Sequence, residues 1–129
     1  MRAPKSTLTG QELEIMKQVW RLESATVRQV YEALLERRRI AYTTVMTMMN
    51  ILEQKGFLKK RQDDRAYVYS PAQPQKQVVG SMVREFVNRV FNGSAEPLLL
   101  HLVEDRHLTE KDLDEIRKSI RSSRKGKSE

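Results

Sequence analysis

The period of the hydrophobic pattern changes at Gly56, and this change restricts the possible folds more than any other feature of the 129-residue sequence. Before Gly56, apolar residues recur at intervals of three and four, which is the spacing of amphipathic helices. After Gly56, the runs 57–61 and 66–69 are short and strand-like, and the polar turn 62–65 separates them. The pattern therefore predicts three helices followed by a two-stranded hairpin.

Short local signals mark where these helices begin and end. The segments 9–12 (Thr-Gly-Gln-Glu) and 26–29 (Thr-Val-Arg-Gln) are capping boxes, in which two side chains satisfy free backbone N–H groups at a helix start. The third helix is predicted to open at the pair Thr43-Thr44, and Gly56 takes the left-handed position after its end. The predicted inward face of this helix consists of Val45, Met48, Met49 and Leu52.

Three helices and a hairpin in this order are typical of a winged helix-turn-helix, with the hairpin as the wing. Residues 75–120 are predicted to be helical as well, so the predicted fold class is mainly α with a small β-hairpin. We predict three regions: a winged-helix DNA-binding domain over 1–71, a helical dimerisation domain over 72–120 and a disordered basic tail over 121–129.

The second half of the chain exposes more apolar surface than its short helices can cover. One helix carries an a/d-like seam that ends before Asn92-Gly93, Ser94 is predicted to cap the next helix, and the segment 98–103 is apolar nearly all round. A second copy of the chain is the simplest partner for such surfaces. The predicted homodimer interface comprises Val79, Val83, Phe86, Val90, Leu99, Leu102, Leu113 and Ile116.

Positive charge is concentrated in one segment of the chain. Arg37 to Arg65 contains eight basic and three acidic residues, whereas residues 72–120 contain seven basic and eight acidic residues. A local cationic patch attracts polyanions, and double-stranded DNA is the polyanion that suits a winged helix. The alternative interpretation is an ordinary solvated basic surface.

The outward face of the third helix is short, uncharged and therefore suited to close approach to base edges. The candidate base contacts are Thr43, Thr44, Met46, Thr47 and Asn50. For Thr43 and Thr44, helix capping is an alternative role. Around this helix, hydroxyl and cationic groups are candidate phosphate contacts, which supply affinity and salt dependence. They are Arg37, Arg38, Arg39, Tyr42, Lys55, Lys59, Lys60, Arg61 and Arg65, with Arg65 at the hairpin tip.

Several classes of function find no support in the sequence. No apolar run is long enough to span a membrane, and the absence of cysteine removes disulfides and thiolate ligands and fits a cytoplasmic protein. His101 and His107 belong to no ligand cluster, so we predict no metal and no cofactor. No nucleophile, paired base or glycine-rich phosphate loop suggests an enzyme.

Several motifs together resemble the BlaI/MecI penicillinase-repressor family over roughly residues 7 to 120. They are Leu8-Thr9, Glu12 to Met16 with Trp20, Tyr42 to Thr47, Lys55-Gly56-Phe57, Asp64 to Tyr69, Leu98 to Val103 and Leu108 to Ile116. The resemblance implies a cytoplasmic homodimer whose N-terminal winged helix binds a palindromic operator and represses transcription.

The sequence departs from the family pattern in two places. Ile51 stands where the family usually has Arg, which implies one phosphate contact fewer. Members released by a membrane sensor protease are cut at an Asn-Phe bond, and His101-Leu102 is the matching pair here. The sequence therefore does not favour a sensor protease as a partner. Related copper-responsive repressors use a cysteine cluster, which is absent from this chain.

A second hypothesis from the sequence is a winged-helix dimer that binds a protein partner and has only non-specific DNA affinity. A protein-docking face typically exposes aromatic or leucine side chains. The small polar face of the third helix therefore favours sequence-specific DNA binding.

Overall fold

The computed structural model describes residues 8–127, and their side chains through residue 123. Within this range it contains six helices and one antiparallel hairpin. In chain order the elements are α1 (Gly10–Leu22), α2 (Val27–Leu35), α3 (Tyr42–Gln54), β1 (Leu58–Asp63), β2 (Ala66–Pro71), α4 (Gln75–Phe91), α5 (Glu96–Glu104) and α6 (Glu110–Lys127). The predicted class, mainly helical with a small hairpin, is confirmed.

The chain forms two compact units, and the boundary between them lies within α4, between Val83 and Arg84. The sequence-based boundary at residue 71 is therefore too early. Val78 is buried in the core of the first unit, and Met82 packs against that core. The first turns of α4 belong to the winged-helix unit because burial of these two side chains completes its core.

Both predicted capping boxes are present. The Thr9 hydroxyl accepts a hydrogen bond from the backbone N–H of Glu12 at 3.1 Å, and the Glu12 carboxylate accepts one from the N–H of Thr9 at 2.9 Å. Thr26 and Gln29 make the same reciprocal pair, at 3.2 and 2.8 Å. Each box satisfies two of the N–H groups that a helix leaves free at its start.

The start of α3 differs from the prediction. The helix begins at Tyr42, and its N-cap is Ala41, whose side chain makes no capping hydrogen bond. Thr43 and Thr44 lie inside the first turn, so the alternative that they cap the helix is wrong. The Tyr42 ring packs edge-on against Tyr31, with centroids 5.4 Å apart, and this contact stabilises the earlier start.

The hairpin is longer than the two predicted runs. Its register pairs Leu58 with Pro71 at one end and Asp63 with Ala66 at the other, which leaves Asp64 and Arg65 as a two-residue turn. Asp64 adopts a positive φ of 59°, which Asp tolerates better than most residues. The strands extend into the polar segment because backbone pairing, rather than side-chain hydrophobicity, holds the outer half of a hairpin.

A short third pairing ties the hairpin to the loop before α2. Ala25 and Tyr69 exchange two backbone hydrogen bonds, each of 2.8 Å. The core beneath comes from α1, α2, α3, the hairpin, the start of α4 and the segments that adjoin them. Its buried members are Leu8, Ile15, Met16, Val19, Ala25, Val30, Leu34, Val45, Met49, Leu52, Phe57, Leu58, Tyr69 and Val78.

In the second unit, α4 ends as predicted, because Asn92 and Gly93 take positive φ angles of 54° and 88°. The next helix has Ala95 rather than Ser94 as its N-cap, and the Ser94 N–H donates back to the carbonyl of Phe91. Thr109 and Asp112 form a third capping box before α6, with bonds of 3.0 and 3.2 Å.

The last helix extends beyond its predicted end at residue 120. Helix α6 continues through Lys127, so the prediction of a disordered tail over 121–129 is wrong for 121–127. Arginine, lysine and serine continue a helix at low cost, and no proline interrupts this stretch. Residues 128 and 129 of the predicted tail lie outside the described residues.

Candidate nucleic-acid interface

Helix α3 turns one face into the core and leaves the other exposed. Val45, Met49 and Leu52 are fully buried, and Met48 is partly buried against them. On the opposite face, four of the five predicted base-contact residues are exposed: Thr43, Thr44, Met46 and Thr47. The helical spacing of three and four produces this division. The exposed face carries hydroxyl, methyl and thioether groups and no charge.

A shallow groove of about 350 Å³ runs beside this face. It is lined by Gln11 of α1 together with Thr43, Thr44, Thr47 and Met48. Gln11 was not among the predicted site residues, because it lies within a capping box and its sequence context indicates only a helix start. Its exposed amide extends the polar surface of the threonines onto α1.

On another side of α3, a cleft of about 620 Å³ separates this helix from the start of α2 and from the hairpin. Cationic, aromatic and polar side chains share its lining, which comprises Thr26, Val27, Arg28, Tyr42, Met46, Asn50, Lys60, Arg65, Ala66, Tyr67 and Tyr69. The cleft thus brings predicted base-contact residues together with predicted phosphate-contact residues. Its three cations, Arg28, Lys60 and Arg65, make it attractive to an anionic backbone.

Asn50 lies deeper than the other residues of the predicted reading face. It is partly buried, and its Oδ1 accepts a hydrogen bond of 3.0 Å from the hydroxyl of Tyr69 on β2. Burial, followed by the negative charge of Glu53, raises the pKa of Tyr69, so its hydroxyl keeps its proton. The sequence contains no local signal for this contact, because the two residues lie on different elements.

Tyr42 and Arg28 form a small stacked cluster at one wall of the cleft. The Arg28 guanidinium lies 5.5 Å from the centroid of the Tyr42 ring, whose other contact is Tyr31. Arg28 also lies 3.9 Å from Glu32, an exposed pair one helical turn away. Arg28 lines the cleft but was not among the predicted site residues. Its position in the first turn of α2, directly after a capping residue, was the available signal.

The hairpin presents cations along its exposed outer half. Lys60 lies 4.7 Å from the centroid of the Tyr67 ring, and Arg61 lies 3.6 Å from Asp63 in an exposed ion pair. Arg65 stands at the turn and, within residues 8–123, has no ion pair with Asp63 or Asp64. The structure therefore does not support the internal pair that would compete with a phosphate contact by Arg65.

Lys55 lies in a partly buried ion pair. Its Nζ is 3.0 Å from Oε1 and 2.9 Å from Oε2 of Glu12. Burial alone would raise the pKa of Glu12, but the hydrogen bond from the Thr9 backbone and the neighbouring Lys55 together lower it. The charge of Lys55 is thus largely compensated inside the protein.

Of the three arginines before α3, one likewise has an acidic partner and two are exposed. Arg38 is half-buried and binds Glu14 through two hydrogen bonds, of 2.9 and 3.4 Å. Arg37 and Arg39 are exposed on either side of it. Lys59, on β1, is exposed as well. Of the predicted phosphate-contact residues, Lys55 and Arg38 therefore have acidic partners in partly buried pairs, whereas Arg37, Arg39 and Lys59 are accessible.

The predicted dimerisation residues are largely accessible in the single chain. Six of the eight are exposed: Val79, Val83, Phe86, Val90, Leu99 and Ile116. Leu102 and Leu113 are partly buried. Further exposed apolar side chains on the same helices are Leu100, Val103 and Ile120. Apolar surface of this extent typically marks an interaction site.

Over residues 8–123, no group of three histidine, aspartate or glutamate side chains is arranged to hold a metal ion. No helix in the described part of the chain has the length and apolar character needed to cross a bilayer.

Comparison with known proteins identifies close sequence relatives. The family model described as penicillinase repressor matches residues 8–122. The transcriptional regulator BlaI of Mycobacterium tuberculosis is 42% identical over 95 residues, which are 72% of this chain and 69% of that protein. The penicillinase repressor of Bacillus licheniformis is 25% identical over 122 residues, 95% of each chain.

Two solved structures match the fold of this chain. The solution structure of the DNA-binding domain of the repressor BlaI matches 57% of this chain and 88% of its own, with 28% identity and a TM-score of 0.51. The oxidised form of MarR from E. coli matches 90% of this chain and 75% of its own at a TM-score of 0.50, but with 11% identity it shows the fold alone. The chain therefore belongs to the penicillinase-repressor family, a family of DNA-binding transcriptional repressors and not of enzymes.

Proposed function

We propose that this protein is a dimeric transcriptional repressor that inserts α3 into the major groove of a palindromic operator and lays the hairpin along the phosphate backbone. The observation that carries this proposal is the uncharged exposed face of α3, which lies between accessible cations of the preceding turn and of the hairpin. A small neutral face can approach base edges, and flanking cations neutralise the phosphates on either side.

The exposed side chains in the first half of α3 would read the base sequence of the operator. The hydroxyls of Thr43, Thr44 and Thr47 can donate to or accept from base edges, and Met46 can contact a thymine methyl group. These residues occupy the N-terminal part of the helix, which is the part of a recognition helix that reaches the bases in helix-turn-helix proteins. Gln11, beside the threonines, extends this surface toward the backbone.

Affinity would come from accessible cations around α3. We assign phosphate contacts to Arg28, Arg37, Arg39, Lys59, Lys60, Arg61 and Arg65, and to the hydroxyl of Tyr42. Lys55 and Arg38 receive a structural role instead, because Glu12 and Glu14 already compensate their charges. Each phosphate contact releases condensed counterions, so binding weakens steeply as salt increases.

Dimerisation would bury the exposed apolar residues of α4, α5 and α6. A twofold dimer presents two identical α3 faces, and two such faces match the inverted half-sites of a palindromic operator. A protein with this function acts in the cytoplasm, where it has access to chromosomal DNA. Relatives named penicillinase repressor and methicillin resistance regulatory protein MecI support a role in repression.

The proposal is tested by selecting binding sites for the full chain from a pool of randomised duplex DNA. We expect the selected sequences to share an inverted repeat. In gel-shift titrations of the specific complex, the logarithm of the affinity should fall linearly with the logarithm of the salt concentration. If all sequences bind equally, the chain is not a sequence-specific repressor. That result would favour the alternative of a protein-interaction module with only non-specific DNA affinity.

A further inference from the structure

The side-chain amide of Asn50 is held from within the protein. Its Oδ1 accepts the hydroxyl hydrogen of Tyr69 at 3.0 Å, across a separation of 19 residues in the chain. Asn50 belongs to α3, and Tyr69 belongs to β2 of the hairpin. This hydrogen bond therefore joins the helix that carries the predicted base contacts to the hairpin that carries predicted phosphate contacts.

Tyr69 is a rigid anchor for this bond. Tyr69 is only 2% exposed. Its backbone N–H donates to the C=O of Ala25, and its C=O accepts from the N–H of Ala25, each at 2.8 Å. Within the hairpin it pairs with Lys60. A buried ring on a residue whose backbone N–H and C=O are both hydrogen-bonded has little freedom to move, so its hydroxyl occupies a defined position.

The anchored hydroxyl determines which half of the amide is available to a ligand. A planar amide has its acceptor oxygen and its donor nitrogen on opposite sides of the same carbon. With Oδ1 engaged by a buried tyrosine, the Nδ2 group keeps both N–H donors free of any partner among residues 8–123. Bidentate recognition of adenine requires the amide oxygen and the amide nitrogen together. The observed bond directs the oxygen toward the buried hydroxyl of Tyr69. Because an amide oxygen has two lone pairs, it is this direction, and not saturation of the oxygen, that disfavours the bidentate contact.

We propose that Tyr69 is a specificity-determining positioning residue, which orients Asn50 to donate an N–H to a hydrogen-bond acceptor on a base edge of the major groove. The acceptors of this class are O6 and N7 of guanine, N7 of adenine and O4 of thymine. Asn50 is then a donor-only reader rather than a bidentate reader of adenine. The inference rests on the proposed function, because it assumes that α3 faces DNA.

The hairpin contributes a matched pair of tyrosines for the test. Tyr69→Phe removes the hydroxyl but keeps the buried ring. Tyr67→Phe removes a hydroxyl from the same strand, two residues away, at a residue that is 50% exposed and whose ring contacts Lys60. Asn50→Ala and the double variant Tyr69→Phe/Asn50→Ala complete a double-mutant cycle. All variants are full-length chains, and thermal melting checks that each one folds.

The binding profile of each variant is measured on the site selected by the parent protein and on every single-base change of that site. Asn50→Ala should relax base preference at one position in each half-site, and Tyr69→Phe should relax the same position. Loss of one oriented hydrogen bond should weaken binding about three- to tenfold per half-site. Tyr67→Phe keeps the ring that contacts Lys60 and should leave the base preference unchanged at every position, whatever its effect on overall affinity. The double variant should bind no more weakly than Asn50→Ala alone.

Two results overturn the inference. One is a Tyr69→Phe profile equal to that of the parent, and the other is an additive loss in the double variant, which would show that Tyr69 does not act through Asn50. An Asn50→Ala variant with unchanged base preference overturns it as well. If the parent protein selects no sequence from the randomised pool, the proposed function itself fails. The selection precedes any comparison of variants, so this failure is distinguished from a failure of the inference about Tyr69.

Discussion

The ammonium of Lys55 lies 2.9 Å from the carboxylate of Glu12, joining the C-terminal end of α3 to the first turn of α1 across 43 residues of chain. The same carboxylate accepts the backbone N–H of Thr9, so one glutamate both caps α1 and anchors α3. Its side chain is only 7% exposed, whereas that of Lys55 is 31% exposed. Loss of the lysine would therefore leave a desolvated carboxylate with one partner fewer.

We expect Lys55→Gln to lower the free energy of unfolding by about 1–3 kcal/mol, because a mostly buried carboxylate loses its charged partner. Urea unfolding at neutral pH measures this change. The dependence of DNA affinity on salt should stay as in the parent, since the lysine charge is used inside the fold. Lys59→Gln is the matched control, an exposed lysine for which we expect a shallower salt slope and nearly unchanged stability. A shallower slope with unchanged stability for Lys55→Gln would assign Lys55 to phosphate instead.

The lowered pKa of Glu12 predicts a loss of stability in acid. The folded protein binds this proton less tightly than the unfolded chain, whose pKa is near the ordinary value of 4.5. The contribution of Glu12 is complete above that value and is lost as the pH falls through the lowered pKa. The variant Glu12→Gln keeps a capping partner for Thr9 but cannot titrate. We expect the stability difference between parent and variant to shrink between about pH 6 and about pH 3, and a constant difference would contradict the assignment.

Thr47 lies exposed in the middle of the face of α3 that we propose reads the bases. Replacement by alanine should cost about 1–3 kcal/mol on the selected operator if its side chain contacts a base. The loss on random DNA should be much smaller. Thr47→Ser retains the hydroxyl and removes the methyl group, so it separates a hydrogen bond from an apolar contact. Equal losses on both DNAs would indicate a phosphate contact rather than base reading.

Arg65 stands at the tip of the hairpin, and Arg65→Ala should weaken binding to operator and random DNA alike. The plot of log affinity against log salt should flatten by about one unit per lost contact, or about two for a symmetric dimer. Arg117→Ala serves as the control, since Arg117 is equally a surface arginine and lies 3.5 Å from Asp114 on α6. An unchanged slope for Arg65→Ala would remove the hairpin tip from the DNA-binding surface.

Val90 is 49% exposed near the end of α4, and we propose that a second copy of the chain covers it. Val90→Asp should shift the protein from dimer to monomer in sedimentation at micromolar concentration, because burial of a charge against apolar side chains is unfavourable. Asn88→Asp adds the same charge to the same helix and should leave the dimer intact. A parent protein that sediments as a single species of 15.1 kDa would contradict the proposed dimer.

Features of the fold that depend on neighbours in the chain could be predicted from the sequence. The capping boxes at Thr9 and Thr26 involve residues three positions apart, so their hydrogen bonds are encoded locally. Gly56, with a φ of 89°, takes the left-handed conformation that ends α3. The inward and exposed faces of α3 follow from helical periodicity alone, which is why Thr43, Thr44, Met46 and Thr47 were predicted to be exposed together.

Contacts between residues that are far apart in the sequence could not be predicted from it. These contacts decide which candidate residues remain accessible to a ligand. Composition identifies eight cations between Arg37 and Arg65, but only the packing of α1 against its neighbours brings Glu14 to Arg38 and Glu12 to Lys55. The early start of α3 depends in the same way on Tyr31 meeting Tyr42.

The sequence by itself determined the order of the helices and hairpin, the apolar face of each helix and the segment that carries the positive charge, because these depend on local periodicity and residue type. Only the tertiary structure decided that the oxygen of Asn50 is bound by Tyr69 and that two of the predicted phosphate-contact cations are held in partly buried ion pairs. The physical reason is that a hydrogen bond or an ion pair depends on distances of about 3 Å, and those distances between distant residues exist only after the chain has folded.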